Sequence, residues 1–316
     1  MKVLITDNIN KCVKDIISET AEAVFLPTMS EEEIIKIIGE YDALMVRSQT
    51  KVNRNIIEAG KNLKIIGRAG VGVDNIDVNA ATEKGIIVVN SPDGNTIAAS
   101  EHTIALMLAI SRNIVPASQS TKEGKWNRDS FTGTELFGKT LGVMGFGRIG
   151  RKVVNIALAI GMKVIVYDPF ANEETVIKKG ALYETSLDNF LPQLDYLSIH
   201  IPKTADTINI INKENINKMK KGAIIINCSR GGLVNENDLK EALENGQISA
   251  AALDVYENEP KIETCPLIHY NGNNIILTPH LGASTKEAQI NVALDVASQI
   301  KKVLSGGYTD SAVNIP

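Results

Sequence analysis

Cysteine is scarce in this 316-residue chain: Cys12, Cys228 and Cys265 lie far apart, without the spacing of a metal site. A disulfide framework or a structural zinc knuckle is therefore not expected, and the three read as reduced thiols of a cytoplasmic protein. Charge of one sign is missing as well. The formal net charge is −4, which argues against nucleic acid or an anionic membrane surface as a partner. No apolar run approaches the roughly 20 residues of a membrane-spanning helix. The chain opens directly on a strand pattern, Met1-Lys-Val-Leu-Ile-Thr6, from which neither a signal nor a transit peptide is expected. Aromatic residues amount to 4%, while Ile, Ala, Val and Gly are plentiful, as buried parallel strands require. Low-complexity tracts and short repeats are absent.

Strand-like apolar runs alternate with helical periodicity along the whole length. Val3–Thr6, Ala23–Leu26, Ala43–Val46, Lys64–Ile66 and Ile86–Val89 read as strands, separated by helical patterns around Lys11–Ser18, Glu31–Ile38, Asn53–Ala59 and Val78–Lys84. A second series starts at Leu141 and continues through Lys163–Tyr167, Tyr196–His200, Ala223–Asn227, Ala250–Asp254 and Ile275–Leu277. Two such series predict an α/β protein with two doubly wound domains. The stretch Ile97–Ile110 reads as a long connecting helix. Ser284–Val303 reads as another, capped by Ser284 and stopped by Ser305-Gly-Gly307. No strand series follows that last helix, so it is expected to return to the first sheet. The predicted domains are residues 1–94 with 284–316, and residues 95–283, with a cleft between the lobes.

The most informative segment is Leu141-Gly-Val-Met-Gly-Phe-Gly-Arg-Ile-Gly150, followed by Lys163-Val-Ile-Val-Tyr-Asp168. It has the form of strand, glycine turn, helix, and a second strand ending in an acid. Gly145 permits the turn, Gly147 lets a pyrophosphate reach the backbone, and Gly150 lets helix and strand pack closely. The helix starting near Arg148 aims free N–H groups and its dipole at that anion. A carboxylate at Asp168 can accept from both ribose hydroxyls and repels a 2′-phosphate, so NAD is expected rather than NADP.

Hydride transfer to a nicotinamide from a hydroxy acid needs a cation for the carboxylate, an acid–base group on the hydroxyl, and a group that tunes it. Strand ends of the second series offer candidates. Arg230 follows Ile224-Ile-Ile-Asn-Cys-Ser, and its planar fork suits a carboxylate. His280 follows Ile276-Leu-Thr-Pro, and Glu259 lies in Asp254-Val-Tyr-Glu-Asn-Glu-Pro260. Glu259 is expected to orient His280, and Asp254 to accept from the nicotinamide carboxamide. Each has a plainer reading: a structural histidine, a solvated loop arginine, an acid capping a helix. Strand ends downstream of a dinucleotide motif converge on one crevice, which favours the catalytic reading. Of the other histidines, His102 in the long apolar helix is expected to be structural, His269 exposed, and His200, also at a strand end, the rival base.

With these residues in place, the chain resembles the D-isomer-specific 2-hydroxyacid dehydrogenases over nearly its whole length, and their phosphoglycerate branch in particular. The pattern is carried by Arg68-Ala-Gly-Val-Gly-Val-Asp-Asn-Ile-Asp77, Asn90-Ser-Pro-Asp-Gly-Asn-Thr96, the stretch Gly124–Leu136, Gly138–Gly142, Asn227–Val234, Ala251–Pro260 and Thr278–Ala283. The resemblance implies a Rossmann NAD-binding domain and a discontinuous, flavodoxin-like substrate-binding domain. Arg230, Glu259 and His280 would be catalytic. Cofactor contacts would fall on Val71, Arg148, Ile149, Asp168, Ile201, Cys228, Ser229, Arg230, Asp254, His280 and Ala283. The substrate phosphate would meet Arg47, Gly70, Gly72 and Asn95, with Arg128 reaching across a homodimer whose arm is Ile97–Leu136.

The implied activity is oxidation of D-3-phosphoglycerate to 3-phosphohydroxypyruvate, the entry to serine synthesis. Other 2-hydroxy acids such as glyoxylate or hydroxypyruvate, formate or phosphonate oxidation, and an NAD-gated corepressor-like binding module are the alternatives. Relatives often carry a hydroxyl residue where Ile201 stands and a small one at Cys228; both should touch the cofactor through backbone or apolar surface. Longer members carry a C-terminal domain that senses serine; with Asn314-Ile-Pro316 directly after the last helix, that domain and its feedback are not expected.

Overall fold

The structure is a computed structural model and describes residues 1–309 and 311–314. The chain divides into two compact units, Met1–Thr96 with Ala283–Pro316, and Ile97–Gly282.

The first unit holds strands β1 (Lys2–Ile5), β2 (Glu22–Phe25), β3 (Ala43–Val46), β4 (Ile65–Arg68) and β5 (Ile87–Val89). They form one parallel sheet in the order β2-β1-β3-β4-β5, the flavodoxin-like arrangement. The central strand β3, Ala-Leu-Met-Val, is buried at every position, because helices cover both faces of a parallel sheet. On one face Val3, Ile5 and Met45 pack against Val292, Val296 and Ile300 of the helix Lys286–Leu304. On the other, Leu4, Leu44 and Ile66 meet Ile34, Ile56 and Ala80 of three shorter helices. The returning C-terminal helix is capped by Thr285, whose hydroxyl accepts from the Ala288 N–H at 3.0 Å; the expected cap, Ser284, lies one residue too early. Beyond it the Val313 N–H donates to the Val88 carbonyl at 2.9 Å, and Ala312 pairs antiparallel with Val89. The tail thereby covers the exposed edge of β5.

The second unit holds β6 (Thr140–Met144), β7 (Lys163–Tyr167), β8 (Leu182–Glu184), β9 (Tyr196–Ile199), β10 (Ala223–Asn227), β11 (Ile248–Leu253) and β12 (Ile275–Leu277). The sheet is parallel throughout, ordered β12-β11-β10-β9-β6-β7-β8. This is the Rossmann order with one added strand: the chain steps from β6 to β7 and β8 on one side, then crosses to β9 on the other. Two apolar cores lie on its two faces. The strand β8 is absent from the sequence expectation: Leu182-Tyr-Glu, exposed or half-buried throughout, makes no apolar run. The stretch read as one arm is two helices, Thr96–Ser111 and Ile114–Lys122, separated where Asn113 takes a left-handed φ of 51°. Among the described residues no helix is long and apolar enough to cross a membrane.

Candidate active site

The glycine turn after β6 is built as close packing demands. Gly145 has φ +100°, and a Cβ there would lie 2.6 Å from the His200 carbonyl oxygen; one on Gly150 would lie 2.1 Å from the Gly145 oxygen. Neither position admits a side chain. A Cβ on Gly147 meets nothing within 4 Å, so that glycine answers to something outside the chain's own packing. The helix Arg148–Ala159 that follows has no side-chain cap, whereas Asn53, Asp77, Asn172 and Asn235 each cap a helix of their own. An uncapped helix start of this kind, with its dipole, suits an anion. Asp168, directly after β7, has both oxygens pinned: Oδ2 accepts from the Phe146 N–H at 2.7 Å and Oδ1 from the Phe170 N–H at 2.9 Å. This set fits a dinucleotide, whose pyrophosphate the helix terminus would hold and whose ribose the acid would meet.

At the carboxyl end of the same sheet, His280 and Glu259 meet. His280 Nδ1 lies 2.8 Å from Glu259 Oε1, and Glu259 Oε2 accepts from the Tyr256 N–H at 3.2 Å. The carboxylate thus faces one ring nitrogen, holds the proton there, and leaves Nε2 directed elsewhere. Arg230 follows β10; its Nη1 donates to the Ser229 carbonyl at 2.8 Å, and Asn227 Nδ2 donates to the Arg230 carbonyl at 3.0 Å. The loop bearing Arg230 abuts the loop bearing Glu259 so tightly that a Cβ on Gly231 would sit 1.7 Å from the Tyr256 oxygen. Ser229 is fixed by its hydroxyl on the Ile201 carbonyl at 2.8 Å. Burial pushes the Cys228 thiol up to about 12, so at neutral pH it is an apolar wall.

Asp254 is fully buried. Burial pushes its carboxyl up, but hydrogen bonds from His102, Thr278 and the amides of Leu281 and Gly282 outweigh that and hold it below the usual value. It therefore stays ionised under the loop that carries His280. His200 is a poor base by contrast: burial lowers its imidazole to about 4, and Nε2 pairs with Ser198 Oγ at 2.8 Å. His269 is exposed on a short 3-10 turn.

The remaining candidates belong to the first unit or to an exposed segment. Arg47, just past β3, lines a cavity of about 200 Å³ with Asp7, Asn8, Ser48 and Gln49. The loop of Gly70, Val71 and Gly72 is fixed by the Ser91 N–H on the Gly70 carbonyl at 2.9 Å and by Asn90 Nδ2 on the Val71 carbonyl at 2.5 Å. Asn95 keeps a buried Oδ1 without a partner among the described residues. Ala283 directly follows the Asp254-anchored Gly282. Arg128 sits in an exposed 3-10 turn, Arg128–Phe131.

Sequence reasoning missed Asp7 and Thr278. Asp7 is 3% exposed and shapes the Arg47 loop: Oδ2 accepts from the Arg47 and Thr50 amides at 2.9 and 3.0 Å, and Oδ1 from Thr50 Oγ1 at 2.6 Å. Thr278 donates to Asp254 Oδ1 at 2.5 Å. The only local signal for either is a polar residue closing a buried strand.

Residues 104–282 match the model of the D-isomer specific 2-hydroxyacid dehydrogenase, NAD binding domain. A D-3-phosphoglycerate dehydrogenase of Synechocystis sp. is 54% identical over 315 residues, covering 100% of this chain and 56% of that protein. One of Archaeoglobus fulgidus is 48% identical over 317 residues, covering 100% and 60%. The chain thus spans little more than half the length of these curated relatives. A glyoxylate reductase from Paecilomyes thermophila superposes with a TM-score of 0.88 at 31% identity, over 99% of this chain and 98% of that one. A D-lactate dehydrogenase from Aquifex aeolicus, complexed with NAD and lactic acid, gives 0.88 at 28% identity over 100% of both. With more than half of its length matched by that domain model and full-length likeness to such relatives, the chain belongs to the D-isomer specific 2-hydroxyacid dehydrogenase family.

Proposed function

We propose that the protein oxidises D-3-phosphoglycerate at C2 to 3-phosphohydroxypyruvate with NAD, the first step of serine biosynthesis. The observation that carries this is the 2.8 Å pair of His280 Nδ1 and Glu259 Oε1, an acid–base couple on the sheet that bears the dinucleotide turn. NAD, when bound, supplies the hydride acceptor. Arg230 pairs with the substrate carboxylate and fixes the orientation of C2. His280 Nε2 takes the hydroxyl proton, and Glu259 stabilises the imidazolium that results. In the reverse direction the same imidazolium returns the proton to the carbonyl oxygen.

The choice of a phosphorylated substrate rests on the curated relatives, named D-3-phosphoglycerate dehydrogenases, and on Arg47 in its cavity with Ser48 and Gln49. Gly70, Gly72 and Asn95 offer amide donors to the same substrate. We take the working form to be a cytoplasmic homodimer. Ile97, Leu108, Ile114, Val115 and Trp126 are exposed along the two helices and the segment after them, apolar surface that a second copy would cover. Arg128 on that segment then serves the partner's phosphate site.

The test is a panel of 2-hydroxy acids with NAD and NADP, followed at the reduced-nicotinamide absorbance. D-3-phosphoglycerate with NAD should give the highest kcat/KM. Arg47→Ala should lower kcat/KM for that substrate about 10- to 100-fold, the loss of one charge-assisted contact, and leave unphosphorylated substrates nearly unchanged. A preference for glyoxylate that survives Arg47→Ala would instead make the protein a glyoxylate reductase, like its structural neighbour.

A further inference from the structure

His102 occupies the second turn of the helix Thr96–Ser111, and no step above uses it. Its side chain is 20% exposed, and Nε2 lies 3.3 Å from Asp254 Oδ1 and 3.4 Å from Thr278 Oγ1. A fully buried carboxylate such as Asp254 is costly unless its lone pairs are filled. Here Oδ1 also accepts from Thr278 Oγ1 at 2.5 Å and from the Leu281 N–H at 2.8 Å, while Oδ2 accepts from the Gly282 N–H at 2.8 Å. Three of these donors come from the loop that carries His280, one from before it and two from after. Between them His280 has φ +54°, a left-handed backbone that a residue with a side chain keeps only when its surroundings impose it. The Asp254 carboxylate holds the chain on both sides of that residue, and among the described residues His102 is the one side chain from outside this loop within hydrogen-bond distance of it.

We propose that His102 is a positioning residue for the acid–base pair. Its Nε2–H fixes the orientation of Asp254; Asp254 clamps Thr278, Leu281 and Gly282; and His280 is thereby held where Nδ1 meets Glu259 and Nε2 faces substrate. The inference rests on the acid–base role given to His280.

The test compares His102→Ala with His102→Gln in the full chain, the glutamine amide reaching about as far as the ring Nε2. In His102→Ala, kcat should fall about 10- to 100-fold, the cost of a small misplacement at the reacting centre, while KM for D-3-phosphoglycerate and the NADH dissociation constant stay within about threefold. His102→Gln should recover most of the parent kcat. If His102→Ala does not fold, His102→Asn, whose amide falls short of Asp254, replaces it. An unchanged kcat accompanied only by a lower Tm overturns the proposal, as does a glutamine variant no better than alanine. A rise in the NADH dissociation constant in step with the fall in kcat overturns it too, by assigning His102 to cofactor binding. A parent protein inactive on every 2-hydroxy acid would instead remove the proposed function, and this inference with it; an active parent with an unaffected alanine variant removes this inference alone.

Discussion

At the carboxyl end of β1 the chain runs Thr6-Asp7-Asn8; at the carboxyl end of β6 it runs Gly145-Phe146-Gly147. In each sheet the strand order reverses at that strand, with the next strand on one side and a later one on the other, where an open parallel sheet leaves room for a ligand. The first turn is filled from within. Asp7 and Asn8 both adopt left-handed φ values, 60° and 53°, and the Asp7 carboxylate is spent on the Arg47 and Thr50 amides. The next helical turn is capped by Asn10, whose side chain accepts from the Cys12 N–H at 2.9 Å. In the proposed function the anion of that unit therefore meets Arg47, which lines the cavity beside this turn. The second turn carries no side chain at its ends and leads into an uncapped helix. An anion there would meet backbone and dipole, and the acid, Asp168, lies just past β7 instead. One architecture thus yields two chemistries, decided by whether an acid or a glycine occupies the turn.

The strongest challenge to this division is His280→Ala. If proton transfer belongs to the second unit, kcat should drop about 10²- to 10⁴-fold, with NADH binding by fluorescence within about threefold; near-parent turnover would hand the role to another residue. Two glycine variants sharpen the reading of the second turn. Gly150→Ala forces a Cβ against the Gly145 carbonyl at 2.1 Å and should abolish measurable NADH binding. Gly147→Ala finds open space, so its Tm should match the parent while NADH binding weakens about 10-fold, the scale of one lost backbone contact. Equal binding in Gly147→Ala and the parent would detach that glycine from the cofactor.

Asp7→Asn probes the first turn. It keeps a residue suited to left-handed backbone but replaces an acceptor facing two amides, and should cost about 1–3 kcal/mol of stability in urea unfolding. KM for the phosphorylated substrate should rise while NADH binding stays put; a change in NADH binding instead would break the separation of the two turns. The smallest effect concerns His200. Its imidazole is lowered to about 4 from an ordinary 6.5, so between those values the unfolded chain binds the extra proton. Stability from this group is complete above about pH 6.5 and lost as pH falls toward 4, at no more than about 1.4 kcal/mol per pH unit. His200→Gln should have a shallower loss of unfolding midpoint between pH 7 and pH 4.5 than the parent; parallel curves would remove His200 from the acid response.

Much of this was legible without coordinates where signals are local. The strand before Gly145, the three glycines and Asp168 lie within 28 residues of one another, and their chemistry follows from spacing. Arg230 and His280 stood out as candidates because each lies just past an apolar strand. Other features were not. Thr285 rather than Ser284 caps the last helix because the cap is chosen by where the chain turns, and two adjacent hydroxyl residues look alike in one dimension. The edge strand β8, Leu182-Tyr-Glu, has no apolar run, unlike the equally short Ile275-Ile-Leu of β12. His102 read as structural because its partner stands 152 positions away in Asp254, and nothing in an apolar helix announces a buried carboxylate opposite it.

The order of elements, the two parallel sheets and the dinucleotide turn were set by the sequence alone, since alternation of apolar runs, periodicity and glycine spacing are properties of neighbours along the chain. The cap at Thr285, the edge strand β8 and the partners of Asp7 and Asp254 were decided by tertiary structure. Burial and hydrogen-bond satisfaction depend on which distant residues arrive at the same place, and only the folded chain brings them there.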